Sequence, residues 1–244
     1  MNPQFNSTRL GYFIKRHLYL NVSSLWIAIA AVVGTLLVIS ALFAYFNPGT
    51  LPGLRNLYLV VFFVGGYFFT SKIFDEMHTP QKSYSFLTLP VSATEKLIGG
   101  WIITGPVYVL VFALFMVLLL FISSLIADRP EALPFLFDSN FFTSIKVFLV
   151  TQTIFFLGAC SFRGNNFLKT LLMLFVLVLL IGMYGSGLAF LLFGEGNISV
   201  NAYPADLKNT MEFIIKQVIP FIFWYLLGPF LLLVSYFKLK ERQV

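Results

Sequence analysis

Six long, continuous apolar runs constrain the fold of this chain more than any other feature. A transmembrane helix needs roughly 20 apolar residues to cross about 30 Å of hydrocarbon. Inside hydrocarbon the backbone must be satisfied within a helix or a closed barrel, and these runs do not alternate as barrel strands do. We therefore predict an all-α polytopic membrane protein with six transmembrane helices. The predicted spans are residues 25–46, 57–74, 97–126, 142–162, 167–193 and 218–237.

Composition excludes a water-soluble domain. Hydrophobic residues make up 59% of the 244 residues and charged residues only 11%, whereas an average soluble domain is about 25% charged. Too little polar surface is left to cover a core in water, so residues 1–244 are predicted to form a single transmembrane domain.

Lysine and arginine predict the orientation. The N-terminus, the connections near 72–96 and 163–169, and the C-terminus together hold 11 of the 16 basic residues. Basic residues mark the cytoplasmic side, so we expect both termini to be cytoplasmic in the inner membrane of a bacterium. The net charge of +6 then reflects topology and contact with anionic lipid in the bilayer, and it does not indicate a nucleic-acid partner.

Residues 5–21 are too short and too polar for a span but are amphipathic. The apolar face carries Leu10, Phe13, Ile14, His17 and Leu18. We predict an N-terminal interfacial amphipathic helix. Two interpretations stay open: an ordinary anchor beside the membrane, or an elbow helix that braces a cytoplasmic partner.

No pattern for catalysis, cofactor binding or metal binding is found. His17 and His78 lie far apart without a carboxylate or cysteine at ligand spacing, Cys160 is the single cysteine, and no phosphate-binding loop or nucleophile elbow occurs. The central parts of the spans hold no titratable acid or histidine, which disfavours an intramembrane protease or a proton-coupled carrier. We expect the chain not to be an enzyme.

Small residues concentrate in some spans. Gly182 and Ser186 in the fifth span form a small-xxx-small pattern, which lets helices approach closely. Packing within one copy and a dimer seam both explain this pattern.

The connection between the second and third spans, residues 71–101, is unusually apolar. Its apolar side chains would be exposed unless something covers them, which indicates a partner surface. Ser92 and Glu95 have the spacing of a capping box that would begin the third span. The apolar residues in question are Phe74, Met77, Tyr84, Phe86, Leu87 and Leu89.

Residues 84–96, YSFLTLPVSATEK, resemble a segment that precedes the third span in permease subunits of bacterial ABC exporters of the type-2 class. The resemblance also includes the six spans, the interfacial N-terminal helix and a short outer helix before the last span.

The resemblance implies a half-transporter: a permease that pairs as a homodimer or with a related permease and binds a separate ABC ATPase subunit. The contact with the ATPase would then use Phe74, Asp75, Glu76, Met77, Tyr84 and Phe86. The alternatives are a non-transporting membrane protein, such as an assembly, immunity or sensor component, or an intramembrane enzyme with an unrecognised site.

Overall fold

The computed structural model describes residues 5–47, 49, 51–128, 139–193, 209–210 and 212–242. No strand occurs among these residues, and six helices are long and apolar enough to cross a membrane. The predicted all-α polytopic fold is confirmed. The connection at 194–208 and residue 211, where a short outer helix is expected from the resemblance, lie outside the described residues.

The helices follow one another closely along the chain. In order they are α1 (Ser7–Leu20), α2 (Val22–Phe46), α3 (Leu51–Ser71), α4 (Asp75–His78), α5 (Pro80–Leu87), α6 (Ala93–Ile102), α7 (Tyr108–Ile126), α8 (Ser139–Ser161), α9 (Asn166–Phe193) and α10 (Gly228–Glu241). The third span is α6 and α7 joined by a π segment, Ile103–Val107, and the sixth span begins at Ile214 and ends with α10.

The second span ends earlier than the apolar run suggests. Helix α3 stops at Ser71, and the hydroxyls of Thr70 and Ser71 donate to the carbonyls of Gly66 and Tyr67 at 2.7 and 2.8 Å. The chain then turns, so Phe74 precedes α4 instead of completing the span. The end of an apolar run therefore does not mark the end of the helix here.

Prolines adjoin the π segments of the third and sixth spans. Pro106 lies inside the π segment of the third span, and Pro220 and Pro229 follow the two π segments of the sixth span, Ile214–Val218 and Ile222–Leu227. Proline lacks the N–H that an α-helix needs, and a π segment absorbs the resulting change of register. Beside Pro106, the Gln152 amide, oriented by its hydrogen-bonding partners, donates to the Thr104 carbonyl at 2.8 Å.

Aromatic rings fill the space between α3, α7 and α8. Phe62 and Phe148 lie 4.5 Å apart, and Tyr67 stacks on Phe155 at 4.4 Å, between ring centroids. A Cβ on Gly66 would approach the Tyr108 ring to 2.8 Å. Glycine at position 66 therefore allows close packing within one copy of the chain. Such packing is one of the two interpretations of the small residues in the spans.

The fifth span behaves differently. Helix α9 packs against α8 near its start, where Thr170 approaches Gly158, but all except one of the described side chains from Leu171 to Leu188 are exposed. A Cβ on Gly182 would meet no atom of the described residues within 4 Å beyond its own stretch of helix. Packing among the described residues therefore does not account for the small residues of this helix.

Candidate functional site

The site that the sequence predicts is the connection from α3 to α6. Helices α4 and α5 form a short hairpin separated by Thr79, and Pro80 occupies the first turn of α5, where its missing N–H costs no hydrogen bond. The hairpin lies at the end of the bundle that also holds α1 and the end of α10, because its residues pack with Phe13 and Leu239 in one core cluster.

Three of the six apolar side chains that the sequence predicts to need a cover are buried inside the protein. Phe74 is 0% exposed and Phe86 1% exposed, and Met77 is also buried. Phe74 meets Phe156 of α8 edge-on at 5.2 Å, and Phe86 meets Phe13 of α1 at 6.3 Å. The expectation that these side chains would be exposed without a partner is wrong, since α1, α8 and α10 of the same chain cover them.

Glu95 joins the start of the third span to α1. The predicted capping box is confirmed: Ser92 Oγ accepts from the Glu95 N–H at 3.2 Å, and Glu95 Oε2 accepts from the Ser92 N–H at 2.8 Å. Its other oxygen, Oε1, accepts from the Asn6 N–H at 2.8 Å and pairs with Arg9 at 3.1 Å. Because all these partners compensate its loss of water, the carboxylate can be fully buried. The S-x-x-E spacing predicts only the local half of this network.

Lys96, the residue after Glu95, connects α5 to the start of the third span. Its side chain is fully buried, donates to the Phe86 carbonyl at 3.0 Å and lies 4.9 Å above the Phe86 ring. A buried cation needs such partners. The position of α5 is therefore tied to the first turn of the third span.

His78 fixes the hairpin to α8 and to the C-terminal end of the chain. Its Nε2 lies 2.7 Å from the Ala159 carbonyl, and the Arg242 guanidinium donates to Nδ1 at 2.9 Å. Burial lowers the pKa of His78, the Ala159 carbonyl raises it, and Arg242 lowers it again. A neutral imidazole with the proton on Nε2 satisfies both contacts.

The six predicted contact residues thus divide into two groups. Phe74, Met77 and Phe86 lie inside, and Glu76 is partly buried in an ion pair with Arg16 of α1 at 3.2 Å. Only Asp75 and Tyr84 are exposed, Tyr84 by 79%. Lys82, which the sequence suggests as part of a polar rim, is exposed as well. Three more exposed side chains of α5 were not singled out by the sequence: Gln81, Ser85 and Thr88.

Comparison with known proteins adds no identification. No protein-family model matches the chain, and no curated protein and no solved structure matches it significantly. Among the described residues, no three His, Cys, Asp or Glu side chains come together as a metal site. A functional proposal therefore rests on the geometry of the hairpin, which has an inner face anchored to the spans and an outer face that is polar and exposed.

Proposed function

We propose that this chain is the membrane-spanning subunit of an ATP-driven exporter of the ABC type. In this proposal the end of the bundle with the α4–α5 hairpin faces the cytoplasm of a bacterium, and a separate ATPase subunit binds there. The chain forms the substrate path with a second permease copy, and ATP hydrolysis takes place in the partner.

One observation supports this proposal above the others: side-chain contacts hold the hairpin to the third and fourth spans, while the exposed face of the hairpin does not contact them. Lys96 ties it to α6, His78 to α8, and Phe74 packs against α8. A force applied to the outer face would reach the spans through these contacts, as coupling to an ATPase requires. The burial of Phe74 and Phe86 changes their proposed role from docking residues to anchors that transmit the movement.

The docking contact then belongs to the exposed residues around Tyr84. Tyrosine is enriched at the energetic centres of interfaces, and removal of such a residue costs about 2 kcal/mol, on the order of a 30-fold loss of affinity. Asp75 and Lys82 provide the polar rim that interfaces usually have.

The experiment is affinity capture of the tagged chain from its native membranes, followed by measurement of ATP hydrolysis in the captured complex. We expect the complex to hydrolyse ATP and Tyr84→Ala to reduce the captured activity. The matched control is Tyr45→Ala. Tyr45 is another exposed tyrosine, and it lies near the end of α2 that is far from the hairpin. Capture without any ATP-binding protein contradicts the proposal and favours a non-transporting membrane protein.

A further inference from the structure

A cavity of about 470 Å³ separates α2 from α3 and from the third span. At the far end of the bundle α2 packs closely, and Leu36 and Ala44 join a core cluster with Met116 and Leu119. Toward the hairpin end the cavity lies between α2, α3 and the third span, and Leu36 is where its lining on α2 ends. Its volume is in the usual range of small-molecule sites, about 300–1,000 Å³.

The cavity is mostly apolar, and its polar side chains other than Tyr108, whose hydroxyl donates to the Phe62 carbonyl, lie at one end. Its apolar lining includes Ala28 and Val33 of α2, whereas the residues at the hairpin end are Asn21, Ser24, His17 and Lys72. Asn21 directly precedes the α2 span and Lys72 directly follows the α3 span. The polar end therefore coincides with the boundary between membrane and water.

Lys72 is the cation at this boundary. Its side chain is exposed, its Nζ lies 4.8 Å from the centre of the Phe68 ring, and none of the described carboxylates forms an ion pair with it. His17, beside it, is buried, and burial lowers its pKa. One positive charge thus stands at the mouth of an apolar cavity without a negative partner from the described part of the chain.

The length of the cavity suits an acyl chain. On α2 the lining extends from Asn21 to Leu36, which is about 22 Å at about 1.5 Å per residue. One leaflet contributes about half of the roughly 30 Å hydrocarbon thickness. The cavity is long enough to hold an acyl chain of one leaflet while the headgroup stays at the polar end.

We propose that this cavity is a specific site for one anionic phospholipid of the leaflet on the hairpin side, with an acyl chain between α2 and α3 and the phosphate beside Lys72. The apolar walls select a lipid chain, and the unpaired cation selects a negative headgroup. Asn21 and Ser24 line the same end and would donate to the phosphate or glycerol oxygens, Asn21 through the amide N–H that is not used in its 3.0 Å hydrogen bond to the His17 carbonyl. This inference does not depend on the proposed transport function.

The test is native mass spectrometry of the purified chain in mild detergent, titrated with phosphatidylglycerol or with phosphatidylcholine of the same acyl chains. We expect tighter binding of phosphatidylglycerol. Lys72→Gln should weaken it about fivefold, the equivalent of about 1 kcal/mol for one basic residue at an anionic surface, and should leave phosphatidylcholine binding unchanged. Lys82→Gln removes the same charge from the outer face of α5, outside the cavity, and should have no effect.

A second pair of variants tests the acyl-chain part. Ala28→Phe fills the cavity and should weaken binding of both lipids, whereas Ala30→Phe, on an exposed part of α2 away from the cavity, should weaken neither. Equal affinity of the unsubstituted chain for the two lipids overturns the proposal, as does an equal effect of Lys72→Gln and Lys82→Gln. If Ala28→Phe converts a dimer to a monomer without changing lipid affinity, a second copy occupies the cavity and the proposal is wrong.

Discussion

Of two aromatic substitutions in one short connection, one should destabilise the protein strongly and the other should leave its stability nearly unchanged. Phe74 is completely buried against Phe156 and Phe86, and Tyr84, ten residues later, is 79% exposed. Truncation of a buried phenylalanine to alanine costs about 3–5 kcal/mol because transfer energy and packing are both lost. An exposed substitution usually changes stability by no more than about 0.5 kcal/mol.

The expected thermal shift follows from these energies. For a chain of this size, 1 kcal/mol corresponds to about 2–4 °C in Tm, so Phe74→Ala should lower Tm by about 6–20 °C. Tyr84→Ala should leave Tm within about 2 °C of the unsubstituted chain by the same scale.

The chain contains its own reporter for this measurement. Cys160 is the single cysteine, is 0% exposed, and lies in the same core cluster as Phe74. A thiol-reactive dye that fluoresces on reaction should report loss of this core as the purified chain is heated in detergent. If Phe74→Ala and Tyr84→Ala give the same Tm as the unsubstituted chain, the hairpin is not anchored through Phe74, and the division into an inner and an outer face is refuted.

Four further predictions concern other parts of the chain. Because burial lowers the pKa of His78 below its unfolded value of 6.5, the unfolded chain binds more protons in acid, so the contribution of His78 to stability should be complete above pH 6.5 and should fall as the pH drops below it. His78→Gln should make the fall of Tm with acid less steep, measured by tryptophan fluorescence, while His17, whose pKa burial also lowers, keeps part of it; an unchanged slope would contradict the buried neutral state of His78. Gln152→Leu removes the amide partner of the Thr104 carbonyl and of the Trp101 indole and should lower the free energy of unfolding by about 1–3 kcal/mol. An unchanged Tm would mean that these two hydrogen bonds do not stabilise the π segment. Cysteines placed singly at Lys82 and Asn47, with Cys160 replaced, should differ in intact cells, with only Asn47 labelled by an impermeant thiol reagent; labelling of position 82 from outside would reverse the proposed orientation. If the exposed side of α9 pairs two copies, Gly182→Leu should convert a dimer to a monomer by mass measurement in mild detergent, and a monomer before substitution would argue against the seam.

The sequence by itself determined the fold class and several local features. Continuous apolar runs can be satisfied in a bilayer only as helices, and six spans result. The S-x-x-E pattern of Ser92 and Glu95 identified the start of the third span, because a capping box involves residues only three positions apart. The amphipathic pattern of α1 also indicated which of its faces is apolar, and Phe13 and His17 of that face are buried.

Only the tertiary structure decided what covers each apolar surface. Phe74 and Phe86 were recognised as side chains that need a cover, but the cover comes from Phe156 and Phe13 at distant positions in the chain. The same holds for the bond of Glu95 to Asn6, which lies 89 residues away, and for the contact of His78 with Arg242, which spans 164 residues. Periodicity and capping report interactions within a turn or two of helix, whereas these contacts depend on how whole helices pack. The cavity beside α2 is lined by residues of α1, α2, α3 and the third span, so it likewise depends on how whole helices pack, and no local pattern could have revealed it.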